Sequence, residues 1–323
     1  MLERKFYRSP LFYMGDKFKL LSEILGYFPL KINKYIEPFV GGGSVFLNVN
    51  ANNYLLNDIN SSIVNLHKFL IKYSENPDEF FKRIINKIEY YNLSRSFKED
   101  IVPLSLKKKW NKTYYAKFNR EGYEKLKNDF NRKNKKDYFD LYLLLIYGFN
   151  RIIRFNSKGE FNIPVGNVDF NKNVYNSLKE YFKVVKMKKI ELYNYNFIDF
   201  IHKIRFEEDD FIYFDPPYLI TNSEYNKIWD ENSEKNLITI LDILGKNKIN
   251  FAISNVIEYK GKENSIFIDW AKNYNLVRIN SNYISFHDNS IKNFTEVLVM
   301  NYDFNITTNS KLNLFKKDIY KVI

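Results

Sequence analysis

The sequence predicts an α/β fold: a mostly parallel sheet with helices on both faces, closed near its C-terminal end by an antiparallel hairpin. Three observations carry the prediction. Short apolar runs of strand composition alternate with segments of helical periodicity. Several of those runs end abruptly in glycine, proline or an acid, as strands do at the ligand-binding carboxyl edge of such a sheet. With 323 residues and 45% hydrophobic content, the chain has ample material for one large core or for a core carrying an insertion.

In chain order, Phe18, Leu21, Ile24, Leu25 and Phe28 recur at helical spacing, so a helix is expected over 17–28, closed by Pro29. Lys17 at its start could meet an anion, although a lysine there is more often plain surface. A strand over 35–40 runs into Gly41-Gly42-Gly43-Ser44 and a helix start at Val45. Strand, glycine turn and helix start make a cradle in which backbone approaches a nucleotide-like ligand without Cβ interference. The glycines spell neither the dinucleotide fingerprint nor a Walker loop, so phosphate binding is not favoured. A second strand over 54–58 ends in Asp58, which can grip ribose hydroxyls or cap the helix expected over 61–73.

Charge is concentrated between these parts. Residues 82–137 hold 17 Lys and Arg against 7 Asp and Glu, a net of +10 out of the chain's +12. Trp110, Tyr114, Tyr115, Phe118 and Tyr123 are interleaved with the cations, a composition suited to a polyanionic partner, with a solvated helical face as the alternative. An apolar segment over 138–149 then delivers a Gly- and Pro-marked loop over 150–164. Its Arg154, Asn156, Lys158 and Asn162 are of the types that reach bases and phosphates. With no cysteine and three scattered histidines, disulfides and thiolate metal sites are excluded and no metal is expected. Met1 to Lys5 lead into no apolar signal core, and no run approaches the ~20 apolar residues of a membrane span, so a soluble cytoplasmic protein is expected.

Strand character resumes over 190–195, followed by Asn196-Phe197, and then comes Phe211-Ile212-Tyr213-Phe214-Asp215-Pro216-Pro217-Tyr218. Prolines cannot donate to a sheet ladder, so the strand stops at Asp215 and presents a carboxylate and an aromatic ring on a stiff turn. A helix over 234–244, a strand over 249–254 and strands over 274–280 and 295–302 complete the sheet, with a polar tail beyond.

The ordered set Tyr13-Met14-Gly15-Asp16-Lys17, Glu37-Pro38-Phe39-Val40-Gly41-Gly42-Gly43-Ser44, Asp58 and Asp215-Pro216-Pro217-Tyr218 resembles the DNA adenine methyltransferases of the Dam family. Phe161 to Gly166 and Thr295 to Leu298 also look like family segments. The resemblance implies a Rossmann-like S-adenosylmethionine-dependent fold with an inserted, mainly helical target-recognition domain. The implied organisation is a catalytic part over 1–73, a DNA-binding insertion over 74–189, a second catalytic part over 190–303 and a tail over 304–323.

It further implies methyl transfer from S-adenosylmethionine to the 6-amino group of a flipped-out adenine in double-stranded DNA. Carried over, Lys17 meets the cofactor carboxylate, the turn from Phe39 through Gly41 and Gly42 to Gly43 its methionine part, Asp58 its ribose and Phe197 its adenine. Tyr13, Glu37, Asn196 and Asp215 complete the cofactor set. Tyr218 stacks on the target base, while Asp215 and the Pro216 carbonyl accept hydrogen bonds from the amine and aim its lone pair. Lys107, Lys108, Lys109 and Arg132 join the loop residues as DNA contacts. A monomer, a companion restriction endonuclease and no membrane partner are the accompanying expectations.

Asp16 stands where many members have Gly, and Asn196 where an acid commonly precedes the Phe. Transfer to the 4-amino group of cytosine and a catalytically silent DNA-binding protein are the rival readings. If the basic segment meets DNA, neutralising several of the Lys in 107–109 and 132–136 together weakens binding. The slope of log affinity against log salt, read by fluorescence anisotropy, should then fall by roughly 0.9 for each phosphate that is no longer neutralised.

Overall fold

The computed structural model describes residues 5–133, 137–221, 229–279 and 294–303. A 3-10 turn over Lys17–Leu20 passes into the single-turn helix α1 (Leu21–Ile24). Strand β1 (Lys34–Glu37) leads through the glycine turn to α2 (Ser44–Asn48), and β2 (Asn53–Asn57) leads to α3 (Ser61–Tyr73). A helical stretch follows, α4 (Pro77–Tyr90), α5 (Leu104–Lys109), α6 (Tyr114–Arg132), α7 (Tyr138–Tyr147) and α8 (Lys172–Lys186). Strands then return in β3 (Ile190–Tyr193), α9 (Phe197–His202), β4 (Phe211–Phe214), α10 (Glu231–Lys246) and β5 (Asn250–Tyr259). The two-residue β6 (Lys262–Glu263), α11 (Ser265–Ala271), β7 (Asn275–Ile279) and β8 (Phe294–Met300) end the described fold.

The chain divides into two compact units. One comprises Met1–Phe18, Gly41–Leu47 and Asn60–Lys188 and carries helices α3 to α8; the other comprises Lys19–Val40, Asn48–Ile59 and Lys189–Ile323 and carries the sheet.

In the sheet unit the strand order is β3-β2-β1-β4-β5-β8-β7, with β6 paired to β5 off that path. The first five strands are parallel, and β8 enters antiparallel between β5 and β7. The chain winds from β1 through β2 to β3 on one side and resumes with β4 and β5 on the other, so strand order reverses between β1 and β4. In open α/β sheets ligands bind at the carboxyl ends of the strands beside such a reversal. Residues of β4 are buried on both faces, as its unbroken apolar run requires. Ile212 and Phe214 join a cluster with Phe200 of α9, Leu241 of α10 and Phe267 of α11, while Phe211 and Tyr213 meet Phe28 at ring distances of 4.7 and 5.2 Å.

In the helical unit α7 is apolar all round, and every residue from Phe139 to Tyr147 is buried. Its one buried acid, Asp140, is paired with Lys87 at 2.5 Å and with Lys133. Part of the basic segment is therefore spent on internal pairing, since Lys107 also meets Asp100 at 2.6 Å and Lys127 meets Glu124 at 2.7 Å.

The helix expected over 17–28 is not continuous. After Ile24 the chain tightens into i to i−3 bonds, Gly26 N–H to Glu23 and Tyr27 N–H to Ile24, both 3.1 Å, so the helical spacing of Leu25 and Phe28 reflects burial on a turn. The strand expected over 249–254 runs on to Tyr259 because β8 pairs with it from Ala252 to Tyr259. The tail after Asp303 lies outside the described residues.

A buried side chain fixes the carboxyl edge of the sheet. Asn57, 1% exposed at the end of β2, donates through Nδ2 to the carbonyls of Pro38 and Tyr195, both at 3.0 Å. It also accepts from Tyr195 N–H at 2.9 Å. It thus ties together the exits of three neighbouring strands. Replacing it with Ala strands buried backbone groups and should cost about 2–4 kcal/mol in urea unfolding, whereas Asn194→Ala, at an exposed position, should cost less than about 1 kcal/mol.

Candidate active site

Within the sheet unit, the carboxyl edge gathers Glu37 at the end of β1, Asp58 after β2, Asn196 and Phe197 after β3, and Asp215, Pro216 and Tyr218 after β4. Asp58 is partly exposed, and its backbone carbonyl is held by Asn194 Nδ2 at 2.7 Å. The helix after it is capped by Asn60, whose side chain accepts from Ser62 N–H at 3.0 Å, so the reading of Asp58 as that cap is excluded. Asn196 caps α9 through Ile198 N–H at 2.9 Å, which accounts for an amide at this position without a ligand.

Three acids share one face of this edge. Glu37, 2% exposed, accepts from Tyr35 O–H at 3.0 Å. Burial pushes the Tyr35 phenol well above its ordinary range, and the charges of Glu37 and Asp215 add to the effect, which ties the two carboxylates to one neighbourhood. Tyr218 O–H faces Asp215 Oδ1 at 2.9 Å and Glu296 Oε1 of β8 at 3.0 Å. A cationic or amine-bearing ligand is the natural occupant of such an edge.

On the opposite face an aromatic group forms. Phe39 and Phe197 lie 5.3 Å apart, and each is 5.6 Å from Trp229. Trp229 is held by Glu234, a fully buried carboxylate that accepts from Trp229 Nε1 at 2.7 Å, Asn264 Nδ2 at 2.8 Å and Asn255 Nδ2 at 2.9 Å. Three donors and a place in the first turn of α10 compensate for the missing cation. Neither Trp229 nor Glu234 stands out in the sequence, because nothing local marks a glutamate whose partners come from three separate segments.

The other candidates belong to the helical unit. Gly43 has φ +79°, and a Cβ on it would run into the Phe46 ring and stand 2.9 Å from His67 Cε1; a Cβ on Gly42 would stand 3.0 Å from Tyr13 Cβ. The turn is thus packed against Tyr13 and His67, with no room for a side chain at Gly43 and little at Gly42. Its carbonyls are held as well: Ser9 Oγ donates to Gly42, and His67 Nε2 donates to Gly41 at 2.9 Å. His67 Nδ1 accordingly accepts from Tyr181 O–H at 3.1 Å, and burial lowers the imidazole to about 4. Lys17 is buried, with Nζ 3.5 Å from the Gly15 carbonyl. Asp16, in the place of the common Gly, caps the following turn by accepting from Phe18 N–H at 3.0 Å, while Gly15 takes the positive φ.

Among the expected DNA contacts, Arg154, Asn156, Lys158 and Asn162 lie on a short hairpin bridged at Phe155 and Phe161 and mounted on α6 through Phe130 and Asn131. Asn156 is engaged by the hairpin itself, accepting from the N–H groups of Lys158 and Glu160, both at 3.0 Å, and donating to the Glu160 carboxylate. Arg154 Nε donates to Asn162 at 2.9 Å. Lys158, Lys108, Lys109 and Arg132 are exposed, and Lys117 sits 4.3 Å over the exposed Trp110 ring. Tyr123, in contrast, is fully buried with its hydroxyl on the carbonyls of Leu144 and Ile163, so it is core and not part of a basic-aromatic surface. Among the described residues no group of acids and histidines could hold a metal ion, and no helix is long and apolar enough to cross a membrane.

A switch-point sheet with an acid at the tip of its second strand is an arrangement shared with α/β proteins that bind nucleotide-like ligands. Comparison with known proteins narrows this class. The model of D12 class N6 adenine-specific DNA methyltransferases matches residues 13–284, and the chain belongs to that family. It is 33% identical over 312 residues to the modification methylase StsI of Streptococcus sanguinis, covering 93% of this chain and 44% of that protein. It is 34% identical over 304 residues to the type II methyltransferase M.FokI of Planomicrobium okeanokoites, covering 91% and 43%. It is also 32% identical over 227 residues to a DNA adenine methylase of Haemophilus influenzae, covering 68% and 67%. The chain thus spans less than half the length of the first two relatives.

His67 generates a pH prediction. Its folded pKa of about 4 lies below the ordinary value of 6.5, so the unfolded state takes up the proton first. Its stabilising contribution is complete above pH ~6.5 and is lost as pH falls towards ~4, by up to about 3 kcal/mol. His67→Gln, which keeps a donor for Gly41, should remove that component from the pH dependence of chemical denaturation.

Proposed function

We propose that this chain transfers a methyl group from S-adenosylmethionine to the 6-amino group of adenine in double-stranded DNA, acting on a base turned out of the helix. The observation that supports this reading best is the strand tip after β4, where Asp215, Pro216 and Tyr218 present oriented acceptors and an aromatic ring together.

The residues suit the cofactor by their chemistry: an acid for ribose hydroxyls in Asp58, aromatic faces for an adenine in Phe39 and Phe197, and carboxylates where a cationic ligand would be favoured. Lys17 and the turn Gly41 to Gly43 keep the roles that the resemblance gives them, and the positive φ of Gly41 and Gly43 is what lets the backbone make that turn. When bound, S-adenosylmethionine supplies an electrophilic methyl group.

The chain's own work is positioning. An adenine amine is a poor nucleophile because its lone pair is delocalised into the ring. Asp215 and the Pro216 carbonyl each accept a hydrogen bond from it, favouring a pyramidal nitrogen with its lone pair aimed out of the ring plane. Proline suits that place because it has no N–H to turn the carbonyl away. Tyr218 offers its face to the displaced base, in compensation for lost stacking. No covalent enzyme intermediate is required, and the chain has no cysteine to form one.

The likeness to a type II methyltransferase and to a DNA adenine methylase supports a setting in restriction-modification or in Dam-type methylation. A companion endonuclease, a monomeric state and a cytoplasmic location are part of the same proposal, as is a helical insertion over 74–189 that reads the target sequence. Transfer to the cytosine 4-amino group is the alternative that an acceptor pair of this kind would also permit.

Asp215→Ala should retain DNA binding in a mobility-shift assay yet lose methyl transfer by about 100-fold or more. Labelled cofactor, unmethylated DNA and nucleoside analysis measure this directly. A wild-type product of 4-methylcytosine, or full turnover by the variant, would overturn the reading.

A further inference from the structure

Glu296 is 1% exposed on β8, paired in register with Val256 of β5 and Ile279 of β7. Its neighbours in sequence, Val297 and Val299, point into the apolar cluster on α9 to α11, so by the alternation of a strand Glu296 points to the other face. That is the face of Glu37, Tyr35, Tyr213 and Asp215. Because β8 runs antiparallel to β5, its early residues arrive at the carboxyl end of the parallel strands. There the Glu296 carboxylate receives the Tyr218 hydroxyl at 3.0 Å.

We propose that Glu296 is a positioning residue of the active site, holding the Tyr218 ring and, through the same hydroxyl, the Asp215 carboxylate, a role that rests on adenine methylation as the function of this site. A phenol carries one hydrogen, which lies in the plane of its ring, so acceptors that fix the hydroxyl also fix the ring plane. Here Asp215 Oδ1 and Glu296 Oε1 both face that hydroxyl. At the other end of the residue, Thr221 donates to the Tyr218 carbonyl through both N–H and Oγ1, each at 3.1 Å. Backbone and hydroxyl are thus anchored from opposite ends, and Glu296 supplies an anchor from outside the strand-tip segment. A buried carboxylate is costly to maintain, and it is placed against the ring on which the target base would stack. Its task is geometric: to keep the platform and the acceptor in register before the base arrives.

The role separates reach from charge. Glu296→Asp keeps the charge but draws the carboxylate back by one methylene. Glu296→Gln keeps the reach and an acceptor oxygen but loses the charge. If Glu296 positions Tyr218, the Asp variant should lose about 10- to 100-fold in kcat for adenine methylation, with KM for DNA and for S-adenosylmethionine within about twofold, while the Gln variant recovers most of the rate. Tyr218→Phe removes the hydroxyl, so in that background Glu296→Asp should cause no further loss. Thermal unfolding of each variant checks that it is folded. The opposite pattern, with Asp active and Gln inactive, or equal losses from Glu296→Asp in the wild-type and Tyr218→Phe backgrounds, would overturn the proposal. Both outcomes are read only where the wild-type chain methylates adenine, so a failure of the functional reading appears as an inactive wild type and is distinguished from a failure of this one.

Discussion

The constraint on which the rest of the sheet unit depends is the end of β4. This strand lies between β1 and β5, is buried on both faces, and pairs in parallel with both neighbours. Pro216 and Pro217 have no N–H to extend the ladder, so pairing stops at a point set by covalent chemistry and not by a balance of weak contacts. The stop falls two residues after Tyr213, which places the Asp215 side chain on the same face as Tyr213, Tyr35 and Glu37. A shift of one residue would turn the carboxylate into the apolar cluster formed by α9, α10 and α11.

Around that point, buried polar groups do what apolar packing cannot, because hydrogen bonds are directional. Asn57 joins the exits of β1, β2 and β3, and Glu234 gathers Trp229, Asn255 and Asn264 behind the Phe39–Phe197 pair. In the helical unit His67 plays the corresponding part for the glycine turn, joining the Gly41 carbonyl to Tyr181. Each group is satisfied by partners from distant segments, so each restricts the relative placement of the elements it joins at little net energetic gain. Rigid placement is what a site that works by orientation requires.

The basic segment has two uses. Lys87 and Lys133 neutralise the buried Asp140 of α7, and Lys107 and Lys127 pair with nearby acids, whereas Lys108, Lys109 and Arg132 remain at the surface. Net charge therefore indicates the sign of a partner but overstates the number of cations available to meet it. The same holds for the aromatics, since Trp110 is exposed and Tyr123 is buried within a few turns of one another.

The sequence by itself determined the order of the main strands, the parallel character of the sheet, the glycine turn, and the carboxylate and ring at the end of β4. These follow from local rules: side-chain periodicity, the freedom of glycine and the missing N–H of proline act within a few residues. Where local patterning was ambiguous it misled, as at 17–28, where apolar spacing compatible with a helix belongs to a short helix and a buried turn. Only the tertiary structure decided that Asn57, His67, Glu234 and Glu296 stand at the heart of their units. Their partners lie far away in sequence, and no pattern along the chain encodes which strand will be inserted beside which. The placement of β8 between β5 and β7 brings Glu296 to Tyr218, and that pairing is a property of the assembled sheet.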